Sequence, residues 1–172
     1  MMQAIELTIL DVVYGGRGLA RQDGCVVFVP GTVTGETVRA EITQQRKNYA
    51  EARLVEVLSP SPHRIPPACP LAGTCPGCCY PHMAYAEEVR VKQAQLENFL
   101  SRTRMPGLPE ALAAPIASPA DLGYRNKIVL HSAGEALGYF GKDNRTVLDV
   151  PQCPLASEAI NGELARLRAD GP

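Results

Sequence analysis

Cys69-Pro-Leu-Ala-Gly-Thr-Cys75-Pro-Gly-Cys78 puts three cysteines within ten residues, and a further one, Cys153, lies far downstream in Val150-Pro-Gln-Cys153-Pro. Glycine and proline around the run let the chain wrap tightly, so three sulfurs can reach one point while Cys153 ties a separate segment to it. Four thiolates commonly hold a [4Fe-4S] cluster or a structural zinc ion. Structural zinc sites usually use two short Cys pairs, whereas here three candidates sit together and one stands alone. The spacing therefore favours a cluster held by Cys69, Cys75, Cys78 and Cys153, with zinc left open. Cys79 abuts Cys78, and the Pro-Gly turn makes Cys78 the better ligand. Cys25 lies in an apolar strand pattern and reads as a buried small hydrophobe.

Six cysteines in 172 residues are too few for a stapled mini-protein. The start, Met1-Met2-Gln-Ala-Ile-Glu, has neither a basic region nor a long apolar one, and no apolar run approaches a membrane span. These features predict a cytoplasmic protein with reduced thiols and no membrane contact. With 45% apolar residues the chain can supply one or two cores, and with no Trp and three Phe those cores are mostly aliphatic. The net charge of −1 neither favours nor excludes nucleic acid, because residues 1–60 carry six Lys/Arg against seven Asp/Glu and the remainder eleven of each. RNA affinity must come from a local patch.

Residues 1–60 read as β. Ile5, Leu7 and Ile9 alternate with polar neighbours, Cys25-Val-Val-Phe-Val29 is a compact apolar run, Val38, Ala40 and Ile42 alternate again, and Ala52, Leu54, Val55 and Val57 close the series. Turns at Tyr14-Gly-Gly-Arg-Gly18, Gln22-Asp-Gly24, Pro30-Gly31 and Gly35 separate them. Short strands at this spacing predict an OB-like β-barrel. A proline-rich linker follows, Ser59-Pro-Ser-Pro-His-Arg-Ile-Pro-Pro67.

Residues 61–172 form the expected second domain, a small α+β unit that looks incomplete. A helix is predicted over Met83–Arg104, with Tyr85, Val89, Gln93, Leu96 and Leu100 at helical spacing and Pro106-Gly107 as its stop. Strands are expected at Lys127–His131, Ala136–Phe140 and Thr146–Val150, then a short amphipathic helix at Ser157–Arg168. Three strands and a helix are thin for an independent core, which predicts the front part of a longer protein.

Gly15-Gly-Arg-Gly18 is not a phosphate loop, because Gln22-Asp-Gly24 and another strand follow it instead of a helix. As a barrel turn it can offer Arg17 and Arg21 to RNA or simply to solvent. Arg46 and Lys47 beside Tyr49 combine cations for phosphate with a ring for a base, although a polar hairpin loop explains them equally. Arg125, Asn126 and Lys127 again cluster donors. His82, four residues past Cys78, can orient the metal site or cap the long helix. His63 and His131 have no partner visible in the sequence, and no histidine is assigned to catalysis.

Taken in order, Gly16-x-Gly18-x-Ala20-Arg21, Val27-Phe-Val-Pro-Gly31, Arg46-Lys-x-Tyr-Ala50, Cys69-x5-Cys75-x-Gly77-Cys78-x3-His82, Gly123-Tyr-Arg-Asn-Lys127 and Asp149-Val-x-x-Cys153-Pro154 resemble the N-terminal part of the bacterial RNA (uracil-5-)-methyltransferases that pair a TRAM domain with an iron-sulfur cluster. The resemblance spans nearly the whole chain, and the cysteine pattern with its Cys-Pro closure is its specific part. It implies a TRAM barrel that binds RNA, with the large-subunit ribosomal RNA as the expected partner, and a [4Fe-4S] cluster on Cys69, Cys75, Cys78 and Cys153. The protein is expected to be a monomer. Pro76-Gly77 stands where the family often has Gly-Gly, and Lys142 is one place beyond a position near Gly141 that often holds arginine.

In that family, methyl transfer uses a Rossmann-like domain that binds S-adenosylmethionine, a cysteine that adds to C6 of uracil, and a carboxylate that removes the C5 proton. Neither a Gly-rich cofactor loop after a strand nor a cysteine in a Ser-Cys-Asn-Pro context is present, so the isolated chain is expected to be inactive, S-adenosylmethionine being a cofactor of the full-length protein only. The rival readings are a zinc-stabilised RNA-binding adaptor and a small iron-sulfur redox protein.

Overall fold

Alternation of apolar and polar residues produces six strands at the front of the chain: β1 (Ala4–Thr8), β2 (Asp11–Val13), β3 (Arg17–Gln22), β4 (Cys25–Pro30), β5 (Thr37–Gln45) and β6 (Tyr49–Ser59). The computed structural model describes residues 4–103, 107 and 112–171. The strands form one sheet in the order β1-β5-β6-β4-β3-β2, antiparallel except for the β4–β6 pair. β1 and β2 occupy opposite edges, yet only Ile9 and Leu10 separate them in sequence. A link that short can join two edges only if the sheet curls, and the expected barrel is in fact a curled half-barrel.

Turn chemistry sets the register. Asp23 and Gly24 both have positive φ, 49° and 80°, which is what a two-residue hairpin between β3 and β4 requires. The β5–β6 register shifts between Thr37 and Val38, between Arg39 and Ala40, and between Ile42 and Gln44. Such irregularities bend and twist a sheet. They also leave Val55 and Leu58 unpaired with β5 and exposed, although the sequence pattern counts Val55 with the core. Inside the curl lie Leu7, Ile9, Ala20, Val27, Val29, Val38, Ala40, Ala50 and Ala52. Gly18 belongs there for lack of room: a Cβ on it would stand 1.9 Å from Thr32 Oγ1.

The proline-rich stretch after β6 is not a free tether. Glu36 is fully buried, and its carboxylate accepts from the Val33 N–H (2.8 Å), the Ser61 N–H (3.3 Å) and the Arg64 Nε and Nη2 (2.5 and 2.8 Å). Burial works to raise the Glu36 pKa, but the Arg64 guanidinium and the two backbone donors outweigh it and hold the group below its ordinary range. Arg64 also donates to the Gly31 carbonyl, and its backbone bridges Met83. His82 is buried with Nε2 3.2 Å from the Thr32 carbonyl, an arrangement set by the half-barrel and not by a thiol or a helix end.

The long helix α1 (Tyr85–Thr103) belongs to the same unit as the half-barrel. It buries Glu87 and Val91 and not the expected stripe, and Leu96 and Phe99 are exposed. Glu87 is held by Arg90 at 2.7 and 2.6 Å, and Gln95 Nε2 reaches the Val12 carbonyl at 2.8 Å. The expected end at Arg104 and the stop at Pro106 lie outside the described residues.

By internal contacts the chain divides into Met1–Pro66 with His82–Ile116, and Pro67–Pro81 with Ala117–Pro172. A single cut at residue 60 does not follow this division, because the segment after β6 and α1 go with the half-barrel. In the second unit β7 (His131–Ala133), β8 (Ala136–Phe140) and β9 (Val147–Asp149) form an antiparallel meander, and α2 (Glu158–Ala169) starts at Ser157, whose Oγ accepts from the Ile160 N–H. The first of these strands starts only at His131, so Lys127–Leu130 lie outside it despite their apolar character. Gly138 fits where nothing larger can, since a Cβ there would meet the Leu148 carbonyl oxygen at 1.8 Å. Among the described residues no helix is long and apolar enough to cross a membrane.

Candidate nucleic-acid interface and thiol centre

The half-barrel's outer surface follows from strand parity. Gly18, Ala20, Val27, Val29, Ala50 and Ala52 face the core, so Arg17, Leu19 and Arg21 of β3, Val26 and Phe28 of β4, and Tyr49 and Glu51 of β6 face outward. Parallel pairing sets Val26 beside Tyr49 and Phe28 beside Glu51. The Phe28 and Tyr49 rings meet edge to face, with centroids 5.7 Å apart and planes at 66°. The Arg17 guanidinium lies 4.6 Å from the Phe28 centroid and 3.8 Å from the Glu51 carboxylate.

Arg46 and Lys47 occupy the exposed β5–β6 turn next to Tyr49, and the Arg46 N–H is fixed on the Tyr49 carbonyl at 2.9 Å. Among the described residues Arg21, Arg46 and Lys47 make no ion pair, whereas Arg39 and Arg53 are neutralised by Glu56 and Glu41. Five of the sequence-selected residues, Arg17, Arg21, Arg46, Lys47 and Tyr49, therefore belong to one surface or its bordering turn. Phe28 was missed because an apolar run read as buried hides its outward members. The 2-residue period of a strand was the signal that could have found it.

In the second unit the Cys69–Cys78 run is wound by backbone bonds: Ala72 N–H to the Cys69 carbonyl, and Thr74 and Cys75 N–H to the Leu71 carbonyl, with Gly73 at φ 83°. The Gly77 N–H points at Cys75 Sγ at 3.5 Å, and Lys142 Nζ holds the Gly73 carbonyl at 2.5 Å. Cys153 is buried with Val150 and Ala156 in a small core onto which Leu71, Ile128, Tyr139, Leu155 and Ile160 pack. Asn161 of α2 brackets it. Its Oδ1 accepts from the Cys153 N–H at 2.9 Å, and its Nδ2 donates to the carbonyls of Cys153 and Ala156.

Burial pushes the Cys78 thiol above its ordinary range, and the neighbouring sulfurs of Cys153, Cys75 and Cys69 push it the same way, while Arg125 opposes them. The four candidate ligands are thus electrostatic neighbours. Among the described residues, however, no three His, Cys, Asp or Glu side chains close around a single-ion position. Cys79 is exposed, and Cys25 is only half-buried, with its sulfur 3.6 Å from the Val26 carbonyl.

Tyr139 lies against Cys153 with its hydroxyl buried and without a hydrogen-bond partner of good geometry. Desolvation and then the Cys153 sulfur raise its pKa. A buried hydroxyl beside the Cys153 sulfur can donate to an anionic sulfur acceptor there. Arg125 is placed beside this thiol group. Its N–H donates to the Leu155 carbonyl and its carbonyl accepts from Ser157, in a parallel bridge with Ala156, while Asn126 and Lys127 are exposed. Asn161 and Tyr139 carried no sequence signal, because their roles depend on a cysteine eight residues upstream and one fourteen residues downstream, respectively.

Residues 2–55 match the TRAM domain family. Over 96% of its length the chain is 36% identical to an uncharacterized RNA methyltransferase of Bdellovibrio bacteriovorus, of which it covers 42%. Over 96% it is also 36% identical to the 23S rRNA (uracil(1939)-C(5))-methyltransferase of Alkalilimnicola ehrlichii, of which it covers 38%. The chain thus spans about two fifths of the length of these relatives. Its fold is shared with the tRNA (uracil-54, C5)-methyltransferase of Pyrococcus abyssi, solved with S-adenosyl-L-homocysteine, at a TM-score of 0.68 and 20% identity over 95% of this chain and 36% of that one.

Proposed function

We propose that this chain, which carries a TRAM domain and is similar along nearly all its length to the proteins named RNA methyltransferases, is the RNA-recognition and cluster-bearing portion of an S-adenosylmethionine-dependent RNA (uracil-5-)-methyltransferase acting on 23S ribosomal RNA. The observation that carries the RNA part is the joining of Phe28, Tyr49 and Arg17 on one outer face, bordered by Arg21, Arg46 and Lys47, which make no ion pair among the described residues. Rings stack bases and cations meet phosphates, so the surface suits unpaired RNA. Arg125, Asn126 and Lys127 extend the RNA contacts in the second unit, with Arg125 close enough to the thiols to offset their negative charge as well.

Cys69, Cys75, Cys78 and Cys153 are the proposed ligands of a [4Fe-4S] cluster. Their spacing, three together and one far downstream instead of the two short pairs usual for structural zinc, supports this reading. When bound, the cluster supplies a rigid four-armed tie. Asn161 fixes the backbone of Cys153 for that tie, Tyr139 gives it a hydroxyl, and Arg125 offsets its charge. Its role is structural. Methyl transfer, with its nucleophile and carboxylate, belongs to the longer protein, a cytoplasmic monomer in this reading.

The test is anaerobic purification with iron, acid-labile sulfide and zinc measured on one sample, together with RNA binding at several salt concentrations. About four irons and four sulfides per chain are expected, with affinity falling steeply as salt rises. One zinc without sulfide would move the reading to an RNA-binding adaptor, and a reversible redox couple without RNA affinity to an electron carrier.

A further inference from the structure

We propose that Phe28 and Tyr49 form a corner that stacks one unpaired RNA base, and that Arg17 holds the Phe28 face in the free chain and turns to a phosphate when the base arrives. The inference deepens the RNA-binding reading above and rests on it. The rings stand at 66° to one another, so a planar base lying on one ring is flanked by the other's edge, and the geometry defines a place for one base and not a flat platform for many. Arg17 covers Phe28 at 4.6 Å and is tethered to Glu51 only at 3.8 Å, with both side chains more than two-fifths exposed. Such a long, solvent-screened pair is weak and readily exchanged.

The occupant follows from charge. Arg21 on the same strand and Arg46 and Lys47 in the adjoining turn make no ion pair among the described residues, so a ligand that seats an aromatic ring in the corner meets cations where a nucleic acid carries phosphates. A base in a duplex is stacked on its neighbours and cannot enter, which commits the site to single-stranded RNA. The Glu51 carboxylate, freed when Arg17 turns, borders the same place as a hydrogen-bond acceptor for an exocyclic amine.

The experiment titrates the 172-residue chain with a short single-stranded RNA carrying one 2-aminopurine, whose fluorescence changes on stacking, at three salt concentrations. Wild type, Phe28→Leu, Tyr49→Leu and Arg17→Gln are compared, each first shown by thermal melting to be folded. Phe28→Leu and Tyr49→Leu are expected to lose roughly 5- to 150-fold in affinity, the range of one stacked base, and to abolish the fluorescence change with the salt slope unaltered. Arg17→Gln is expected to keep the fluorescence change and to lower the slope by about 0.7, one phosphate contact on a single strand. Wild-type salt-dependent binding with an unchanged fluorescence signal in Phe28→Leu would overturn the corner while leaving RNA binding intact. If the wild type shows no salt-dependent affinity at all, both fall together. Should Phe28→Leu not fold, Arg17→Gln decides: an unaltered slope refutes the exchange.

Discussion

Asn161 and Cys153 exchange a reciprocal pair of hydrogen bonds, Cys153 N–H to Asn161 Oδ1 at 2.9 Å and Asn161 Nδ2–H to the Cys153 carbonyl at 3.0 Å. One amide side chain on α2 thus fixes the backbone of the cysteine that stands apart from the other three. A third bond, to the Ala156 carbonyl, fixes the turn leaving it. Replacing Asn161 by Leu strands these partly buried groups, at about 1–3 kcal/mol for each polar group left without a partner. We expect a lower melting temperature for the second unit and reduced iron retention after gel filtration, while Asn161→Asp, which keeps the acceptor, retains more. Equal iron and melting in all three proteins would refute the clamp.

Cys153→Ser and Cys79→Ser should part company. Cys153 is buried among the candidate ligands, whereas Cys79 is exposed. The first variant is expected to lose the cluster and the cooperative melting of its unit, the second to keep both. Iron and sulfide per chain measured side by side decide it, and a fully loaded Cys153→Ser protein would remove that residue from the ligand set.

Acid should weaken the half-barrel unit in two stages. The His82 pKa is lowered, by burial first, so the unfolded state takes up a proton that the folded state refuses, and stability falls as the pH drops below the ordinary histidine value of about 6.5. The Glu36 pKa is also lowered, so the stability its carboxylate contributes is present above the usual carboxylate value and is lost as the pH falls through the folded one. Urea midpoints at successive pH values are expected to fall first near 6 and again near about 4. His82→Gln should flatten only the upper stage; an undiminished upper stage in that variant would assign it to another group.

Glu36→Ala leaves the Arg64 guanidinium, 22% exposed, without its carboxylate and two backbone donors, the Val33 and Ser61 N–H groups, without an acceptor. Breaking a buried pair from one side costs about 3–5 kcal/mol, and the partial exposure of Arg64 places the expectation at the lower end. Chemical denaturation measures it. A loss below about 1 kcal/mol, the ceiling for a surface pair, would mean the network contributes no more than an exposed one.

Three glycines give graded outcomes. Gly138→Ala drives a methyl into the Leu148 backbone oxygen, which cannot move without opening β8–β9, and is expected to be more damaging than Gly18→Ala, whose nearest obstacle is a hydroxyl that can rotate. Gly162 lies inside α2 with nothing within 4 Å of an added Cβ, so Gly162→Ala should stabilise by about 0.5–1 kcal/mol. Melting temperatures in the order Gly162→Ala, wild type, Gly18→Ala, Gly138→Ala would bear out this ranking.

Much of the fold was legible because strands and turns are written locally. The alternation in β1 and β5, the Asp23-Gly24 hairpin and the Ser157 start of α2 each rest on residues within a few positions of one another. The α1 stripe misled because helical spacing states which residues share a face and not which face is covered. Lys127–Leu130 misled because a strand exists only where a partner pairs with it, and β8 pairs no further back than His131.

By itself the sequence determined the strand-rich front and the helices, since backbone propensity is carried by residue type and short spacing. The tertiary structure alone decided that β4 runs parallel to β6, that Phe28 joins Tyr49 and Arg17 on the outer face, that Arg64 closes on Glu36 across 28 positions and His82 on Thr32 across 50, and that Asn161 holds Cys153. Each of these contacts links residues whose proximity arises only when the sheet curls or a helix docks, and a burial energy shared by the whole core leaves no mark at any single position.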